Sequence, residues 1–280
     1  MRIAHLIFVH KSPLQFERLL MKLISINADI YVHVDKKVDI NQFVFLSNNP
    51  NIFYIQNRVS INWGNYTMVK AILSSFEEII NSKIEYSHIN LLSGQDYPLK
   101  KIEDFESFLS ENKGKSFIQS LSIYNEWHNS KERLTKYCLG DWNIPAKHSI
   151  QKLTNWIFPK RKFPTDLEPY GSSSWFVITP DCIKYVLDYL KMNPKITHFF
   201  KYTWGVDEII FQTILLNSHL KETIINDNLR YIVFENKSPH PKILNLNDAV
   251  KLIDSDKFFA RKFCMDADSK ILDYLDTLLR

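Results

Sequence analysis

The strongest constraint on this chain is a rhythm. Short apolar runs end in polar turns, and each is followed by a stretch with helical periodicity. Ile3–Val9 reads as a buried strand; Ser12 then offers an N-cap and Pro13 a first helical position, opening a helix to about Ile26. Ile30–Val34 is a second strand, ending at Asp35-Lys36-Lys37, and Asn51–Ile55 a short third. Asn65 or Thr67 caps a helix to about Ile80, with Met68, Ala71, Ile72, Ser75, Phe76 and Ile79 on one face. Tyr86–Leu92 is the fourth strand, followed by a helix from about Ile102 to Leu109 and a strand over Ser116–Gln119. Strands alternating with helices imply parallel pairing through right-handed crossovers. The expected class is therefore α/β, a Rossmann-like layered domain with a mostly parallel central sheet flanked by helices.

The second half is less regular. Leu121–Tyr170 is rich in Trp, Lys, Asn and Pro, the composition of a functional loop or lid. Gly171–Thr179 re-enters the sheet, Pro180 opens a helix to about Met192, and another helix starts near Val206-Asp207-Glu208. Leu229–Phe234 is a last strand, and Phe258–Phe263 precedes a C-terminal amphipathic helix. No repeat or linker divides the 280 residues, so one domain over 1–280 is expected.

Composition removes several functions. Six glycines, with no G-x-G-x-x-G and no G-x-x-x-x-G-K-[ST], exclude the two common nucleotide fingerprints. The net charge of +4 suits a small polyanionic ligand and does not demand nucleic acid. Only Lys160-Arg161-Lys162 clusters; it reads as a solvated loop, with a peripheral membrane contact as its alternative. Three cysteines far apart in sequence fit neither a disulfide framework nor a zinc knuckle, and point to a reducing compartment. No apolar run reaches about 18 residues, so a cytoplasmic location, peripheral at the inner membrane face at most, is expected.

Ser87-His88-Ile89-Asn90-Leu91-Leu92-Ser93-Gly94-Gln95-Asp96-Tyr97-Pro98-Leu99-Lys100 is a strand that stops in a turn carrying one acid. Ligands of open α/β sheets sit beyond the carboxyl ends of strands. Turn chemistry alone allows a plain solvated turn as well. Set beside Ala4–Lys11, Tyr31–Lys37, Val59–Gly64, Gly171–Val177, Asp207-Glu208 and Phe259-Ala260-Arg261-Lys262-Phe263, in that order along the chain, the stretch resembles the core-2/I-branching β-1,6-N-acetylglucosaminyltransferase family, which also contains the peptide xylosyltransferases. The resemblance is closest to compact bacterial members.

The resemblance implies a GT-A fold, with a nucleotide-binding half over 1–120 and an acceptor and catalytic half over 121–280. It also implies inverting transfer from a UDP-sugar, N-acetylglucosamine being the expected sugar, to a glycan or glycolipid acceptor in surface polysaccharide synthesis. The metal-binding D-x-D of other GT-A enzymes is missing from the family, so no metal or other cofactor is expected. Asp266-Ala267-Asp268 spells that motif here but reads as helix-start acids. By resemblance Glu208 matches the catalytic base; the local alternative is an acid in a first helical turn, with Asp207 beside it as a cap. Lys262 matches the diphosphate lysine and Arg230 an accompanying arginine, with Arg261 able to share the role. His10 and Lys11 close the first strand and Asp35 the second, on the uridine side. Trp63 packs against donor or core, and Asp96 meets the sugar hydroxyls. Glu126, Trp127, Arg133 and Trp175 are acceptor candidates. Three alternatives stand beside this reading: a catalytically silent UDP-sugar- or carbohydrate-binding protein, a transferase of xylose or another sugar, and a metal-dependent transferase acting through Asp266 and Asp268.

Overall fold

The structure, a computed structural model, describes residues 1–235, 238 and 240–279. Seven strands form the central sheet in the order Ile224–Ile225, Ser116–Phe117, Val177–Ile178, His88–Ser93, Ile3–Val9, Ala28–Val34, Ile52–Tyr54. Ile3–Val9 lies inside it, next to the middle strand His88–Ser93 and parallel to both neighbours, with Ile3 opposite Ala28 and His88. The expected α/β class with a mostly parallel sheet is borne out. The exception is Val177–Ile178, which runs antiparallel between His88–Ser93 and Ser116–Phe117.

Alternation along Ile3–Val9 explains the layers. Ala4, Leu6 and Phe8 enter a core shared with the helices Tyr66–Asn81, Pro180–Met192 and Ile210–Leu216. Ile3, Ile7 and Val9 enter the opposite core, against Pro13–Leu23, Ile102–Glu111 and Lys270–Leu278. A strand buried on both faces needs a continuous apolar run, which Ile3–Val9 supplies apart from His5. Tyr66–Asn81 buries Met68, Val69, Ala71, Ile72, Phe76 and Ile79 on one stripe; each large side chain there contributes about 2 kcal/mol by leaving water.

Several element ends differ from expectation for local reasons. The first helix stops at Leu23, because Ile24 is already extended; Ser12 precedes it at positive φ and makes no side-chain cap bond. The second helix also lacks a cap from Asn65. A remote residue supplies the partner instead: Asp141 accepts from the Thr67 amide at 2.9 Å and from Thr67 Oγ1 at 2.7 Å. Ser116–Gln119 resolves into Ser116–Phe117 and Ser120–Ser122, the latter paired with Tyr170–Ser172. The irregular middle holds two helices, Lys131–Thr135 and Lys147–Ile157. Within the basic triplet Arg161 is buried, donating to the carbonyls of Lys136 at 2.9 Å and Tyr202 at 2.6 Å, so only Lys160 and Lys162 form a solvated pair. Among the described residues no helix is long and apolar enough to cross a membrane.

A small sheet closes one end of the molecule: Arg230–Ile232 runs parallel to Phe259–Arg261, which pairs antiparallel with Tyr97–Pro98. It brings the turn after His88–Ser93 against the Phe259–Phe263 segment. Gly94 lets that turn pack closely on the first strand, since a Cβ there would lie 3.0 Å from Val9 Cγ1, which would have to give by a few tenths of an ångström.

Candidate active site

A cavity of about 950 Å³ opens at the carboxyl ends of Ile3–Val9, Ala28–Val34 and His88–Ser93. This is where an open α/β sheet offers a ligand site. Its wall combines His10, Lys11 and Asp35 from the first two strand ends with Trp63, Arg230, Arg261, Lys262, Asp207 and Glu208. Eight of the nine site residues expected from the sequence thus share one cavity wall.

Glu208 ends a short 3₁₀ turn, Val206–Glu208, rather than opening an α-helix; the helix proper is Ile210–Leu216. Its side chain keeps 30% exposure, and Arg133 Nη1 donates to its Oε2 at 2.5 Å. Burial, and then the charge of neighbouring Asp207, push the Glu208 carboxyl up to about 7, while Arg133 and Arg261 oppose the rise. Asp207 is buried; its Oδ2 accepts from Ser174 Oγ at 2.6 Å, and burial raises its pKa as well. Asp207 is therefore a structural neighbour that favours the protonated form of Glu208.

Arg133 is held by two indoles. Its guanidinium carbon lies 4.6 Å from the Trp127 ring centre and 4.6 Å from that of Trp204. Two glycines make room for this stack. A Cβ on Gly171 would fall 2.6 Å from the Glu208 carbonyl and 2.9 Å from Trp127 Cζ3, and one on Gly205, whose φ is +64°, 2.5 Å from Arg133 Nη1.

Cations also line the wall. Among the described residues the wall's ion pairs are Lys37–Asp35, Arg133–Glu208, Lys257 with Asp227 and Asp256, and Arg261–Asp96. Among the described residues neither Lys11 nor Lys262 joins one. Burial and the charges of Lys11 and Arg261 hold the Lys262 ammonium below the usual lysine range, as expected of a cation without a counter-ion. Burial and then Lys11 likewise lower His10, with Asp35 opposing and Lys262 adding a smaller lowering. The Arg261 guanidinium stacks 4.5 Å from the Trp175 ring centre. Its Nε lies 3.1 Å from Asp96 Oδ1, off the hydrogen-bond direction, so the contact is an ion pair without an aligned hydrogen bond.

Two expected donor contacts are corrected by these positions. Asp96 has no exposed surface and lies outside the cavity wall. Its Oδ2 accepts from the Ser93 amide at 2.8 Å and its Oδ1 from Ser93 Oγ at 3.2 Å, closing the turn and facing Arg261 from behind. Arg230 reaches the wall, but its guanidinium donates to Asn90 Oδ1, to the Asn228 carbonyl and to the carbonyls of Leu91 at 3.0 Å and Phe176 at 3.3 Å. Burial pushes it down to about 9, with Asp96 opposing. Its guanidinium is thus engaged inside the protein, between the interior strand His88–Ser93 and the Asn228 and Phe176 carbonyls, and the residue is nearly fully buried.

Asp35 is buried and accepts from the Lys37 amide at 2.9 Å. Trp63 is exposed at the rim, edge-on to Trp204 with ring centres 5.6 Å apart. Trp175 lines the cavity, whereas Glu126 accepts from the Ser122 amide at 2.7 Å, away from the wall. Trp204 was missed by sequence reasoning, although its place four residues before Glu208 is a local signal. Asp266 and Asp268 lie outside the wall; Asp268 accepts from the Leu246 and Lys270 amides, each at 2.9 Å. Among the described residues no group of three or more His, Cys, Asp or Glu side chains is arranged to hold a metal.

A family model described as "Branch: Core-2/I-Branching enzyme" matches residues 3–253. The chain belongs to the Core-2/I-branching family. Among relatives of the chain, Xylosyltransferase 2 of Rattus norvegicus is 26% identical over 298 residues, 98% of this chain and 33% of that protein. Xylosyltransferase oxt of Drosophila pseudoobscura pseudoobscura is 26% identical over 244 residues, 84% of this chain and 26% of that protein. The chain thus spans about a third or less of the curated relatives it matches. A solved structure of mouse xyloside xylosyltransferase 1 superposes with a TM-score of 0.38 at 11% identity, covering 80% of this chain and 84% of that one.

Proposed function

We propose that this chain is an inverting glycosyltransferase that moves a sugar from a UDP-sugar to an acceptor hydroxyl without a metal ion. The observation that carries the reading is one cavity wall with an acid poised near 7 and, among the described residues, the ammonium groups of Lys11 and Lys262 without a carboxylate partner. Glu208, as carboxylate, takes the proton of the acceptor hydroxyl. The acceptor oxygen bonds to the anomeric carbon from the face opposite the leaving group, and the carbon–oxygen bond to the diphosphate breaks, its electron pair leaving on UDP. Lys262, Lys11 and the outer nitrogens of Arg261 meet the charge that develops there. Asp35 and His10 then border the nucleoside, and Trp63, Trp204 and Trp175 offer flat apolar faces to the sugars.

Family membership supports the transferase class over a silent binding protein. For the sugar, the names of the relatives support xylose as a second reading beside N-acetylglucosamine. Glycan, glycolipid and protein acceptors all fit a hydroxyl nucleophile. The test is calorimetry with UDP, followed by turnover of a UDP-sugar panel in the presence of EDTA. Binding of UDP with slow hydrolysis of one UDP-sugar is expected. Binding without turnover of any sugar supports the silent reading instead, and turnover that depends strictly on Mn²⁺ overturns the metal-free mechanism.

A further inference from the structure

The helix Lys147–Ile157 is amphipathic, but its faces are reversed. The inward face is polar. Gln151 accepts from the Leu139 amide at 2.7 Å, Asn155 accepts from the Tyr137 amide at 2.7 Å and donates to its carbonyl at 2.8 Å, and Lys147 donates to the Gly140 carbonyl at 3.1 Å. These residues recur at intervals of four, on one side of the helix. The opposite side carries Ile150, Leu153, Trp156 and Ile157, exposed by 38%, 52%, 82% and 59%. No residue of the helix is buried. The flanking chain extends the same character, with Trp142 exposed by 44% before the helix and Phe158 by 57% after it. An apolar face turned outward by its own polar anchors is not the underside of a core helix.

Charge selects the occupant. From Trp142 to Lys162 the sequence contains no Asp or Glu, while Lys152, Lys160 and Lys162 are exposed around the apolar side chains. A second copy of the chain would bring the same lysines against themselves in a two-fold contact. We propose that this face seats the protein on the surface of an anionic lipid bilayer, with Leu153, Trp156, Ile157 and Phe158 in the acyl boundary and the lysines at the headgroups. The segment is tied to the cavity: Asp141, just before Trp142, accepts from Asn62 at 3.0 Å and from Thr67, on either side of the Trp63-Gly64 rim. A chain docked there holds the cavity rim at the membrane, where a lipid-linked acceptor would be presented.

The test is co-sedimentation of the full chain with vesicles of phosphatidylcholine alone and of phosphatidylcholine with phosphatidylglycerol. Pelleting with the anionic vesicles only, weakened by 0.5 M salt, is expected. Leu153→Ser/Trp156→Ser and, separately, Lys152→Glu/Lys160→Glu should each lower the bound fraction at least fivefold, with Tm and UDP affinity unchanged because none of these side chains is buried or lines the cavity. The charge-reversal pair keeps the test open should the apolar pair fold poorly. Absence of pelleting with anionic vesicles, equal pelleting of both variants and the parent, or a concentration-dependent dimer that the apolar pair abolishes without any vesicle binding, each overturns the proposal.

Discussion

Arg133 reaches Glu208 across 75 positions of sequence, donating to its Oε2 at 2.5 Å from between two tryptophan rings. The contact holds the carboxylate in one orientation and lowers a pKa that burial would otherwise raise further. Replacing Arg133 by Met removes a cation and a hydrogen bond to the ionised form, so the pKa of Glu208 must rise. The ascending limb of kcat/KM against pH should move up by about one unit or more, with a smaller loss at pH 9 than at pH 7. An unmoved limb with a uniform loss would leave Arg133 a merely structural residue. Lys at this position should restore part of the shift but not the indole stack.

Glu208→Gln should abolish transfer, by at least about 10²-fold, and leave UDP binding intact. It also changes stability in a direction set by linkage. An acid whose pKa is about 7 in the folded chain and 4.5 unfolded binds more protons when folded, so stability falls as pH rises between those values. The parent should therefore lose Tm relative to Glu208→Gln between pH 5 and pH 8, most steeply midway between the two pKa values and levelling off above 7. Parallel Tm curves for the two proteins would remove the buried-acid account.

The diphosphate assignment divides by charge. Lys262→Ala and Lys11→Ala should each weaken UDP binding at least about tenfold, the scale of one charge-assisted contact, and weaken uridine binding little. Folding should be unaffected, since neither ammonium is paired with a carboxylate among the described residues. Added EDTA should not change turnover. Equal losses for UDP and uridine would assign these lysines to the nucleoside instead.

How much of this was legible in the sequence follows from what each residue needs from its neighbours. The strand–helix alternation was legible because a strand buried on both faces must be largely apolar, as Ile3–Val9 is apart from His5 and Ala28–Val34 apart from Asp29 and His33. The cap on Tyr66–Asn81 was not, because Asp141 lies 74 positions from the amide it satisfies. The cavity wall was readable at strand ends, where His10, Lys11 and Asp35 stand. Side-chain direction was not: Arg230 and Asp96 sit in the expected segments, yet one is bound to Asn90 and the Leu91 carbonyl of an interior strand and the other is buried against Arg261. The reversed helix was hidden for the same reason, since its 3.6-residue pattern is identical whichever face points inward.

Asp96 and Arg261 support each other. The carboxylate is fully buried, and burial raises its pKa while Arg261 and the Ser93 amide oppose the rise. Asp96→Asn keeps the shape of the turn but leaves a nearly buried guanidinium without its counter-ion, costing about 3 kcal/mol of stability. UDP affinity should fall with it, since Arg261 loses its fixed position over Trp175. A denaturation midpoint unchanged in Asp96→Asn would show the pair to be dispensable.

Gly171 tests the geometry of the base without touching its chemistry. It pairs with Leu121 in a short two-stranded ladder, and its missing Cβ is what lets the Glu208 carbonyl and the Trp127 ring approach. A methyl group 2.6 Å from a carbonyl oxygen cannot be absorbed by a rotamer change, because the atom in the way is backbone. Gly171→Ala must push the Val206–Glu208 turn or the Trp127–Arg133 stack away from its present place. A displacement of about 1 Å at a catalytic group costs on the order of 10²-fold in rate. The variant should therefore lose kcat while its UDP affinity, assigned to Lys11 and Lys262 on other segments, stays near that of the parent. If kcat survives with normal UDP affinity, the reacting carboxylate does not depend on this packing, and Glu208 is the wrong residue for the base.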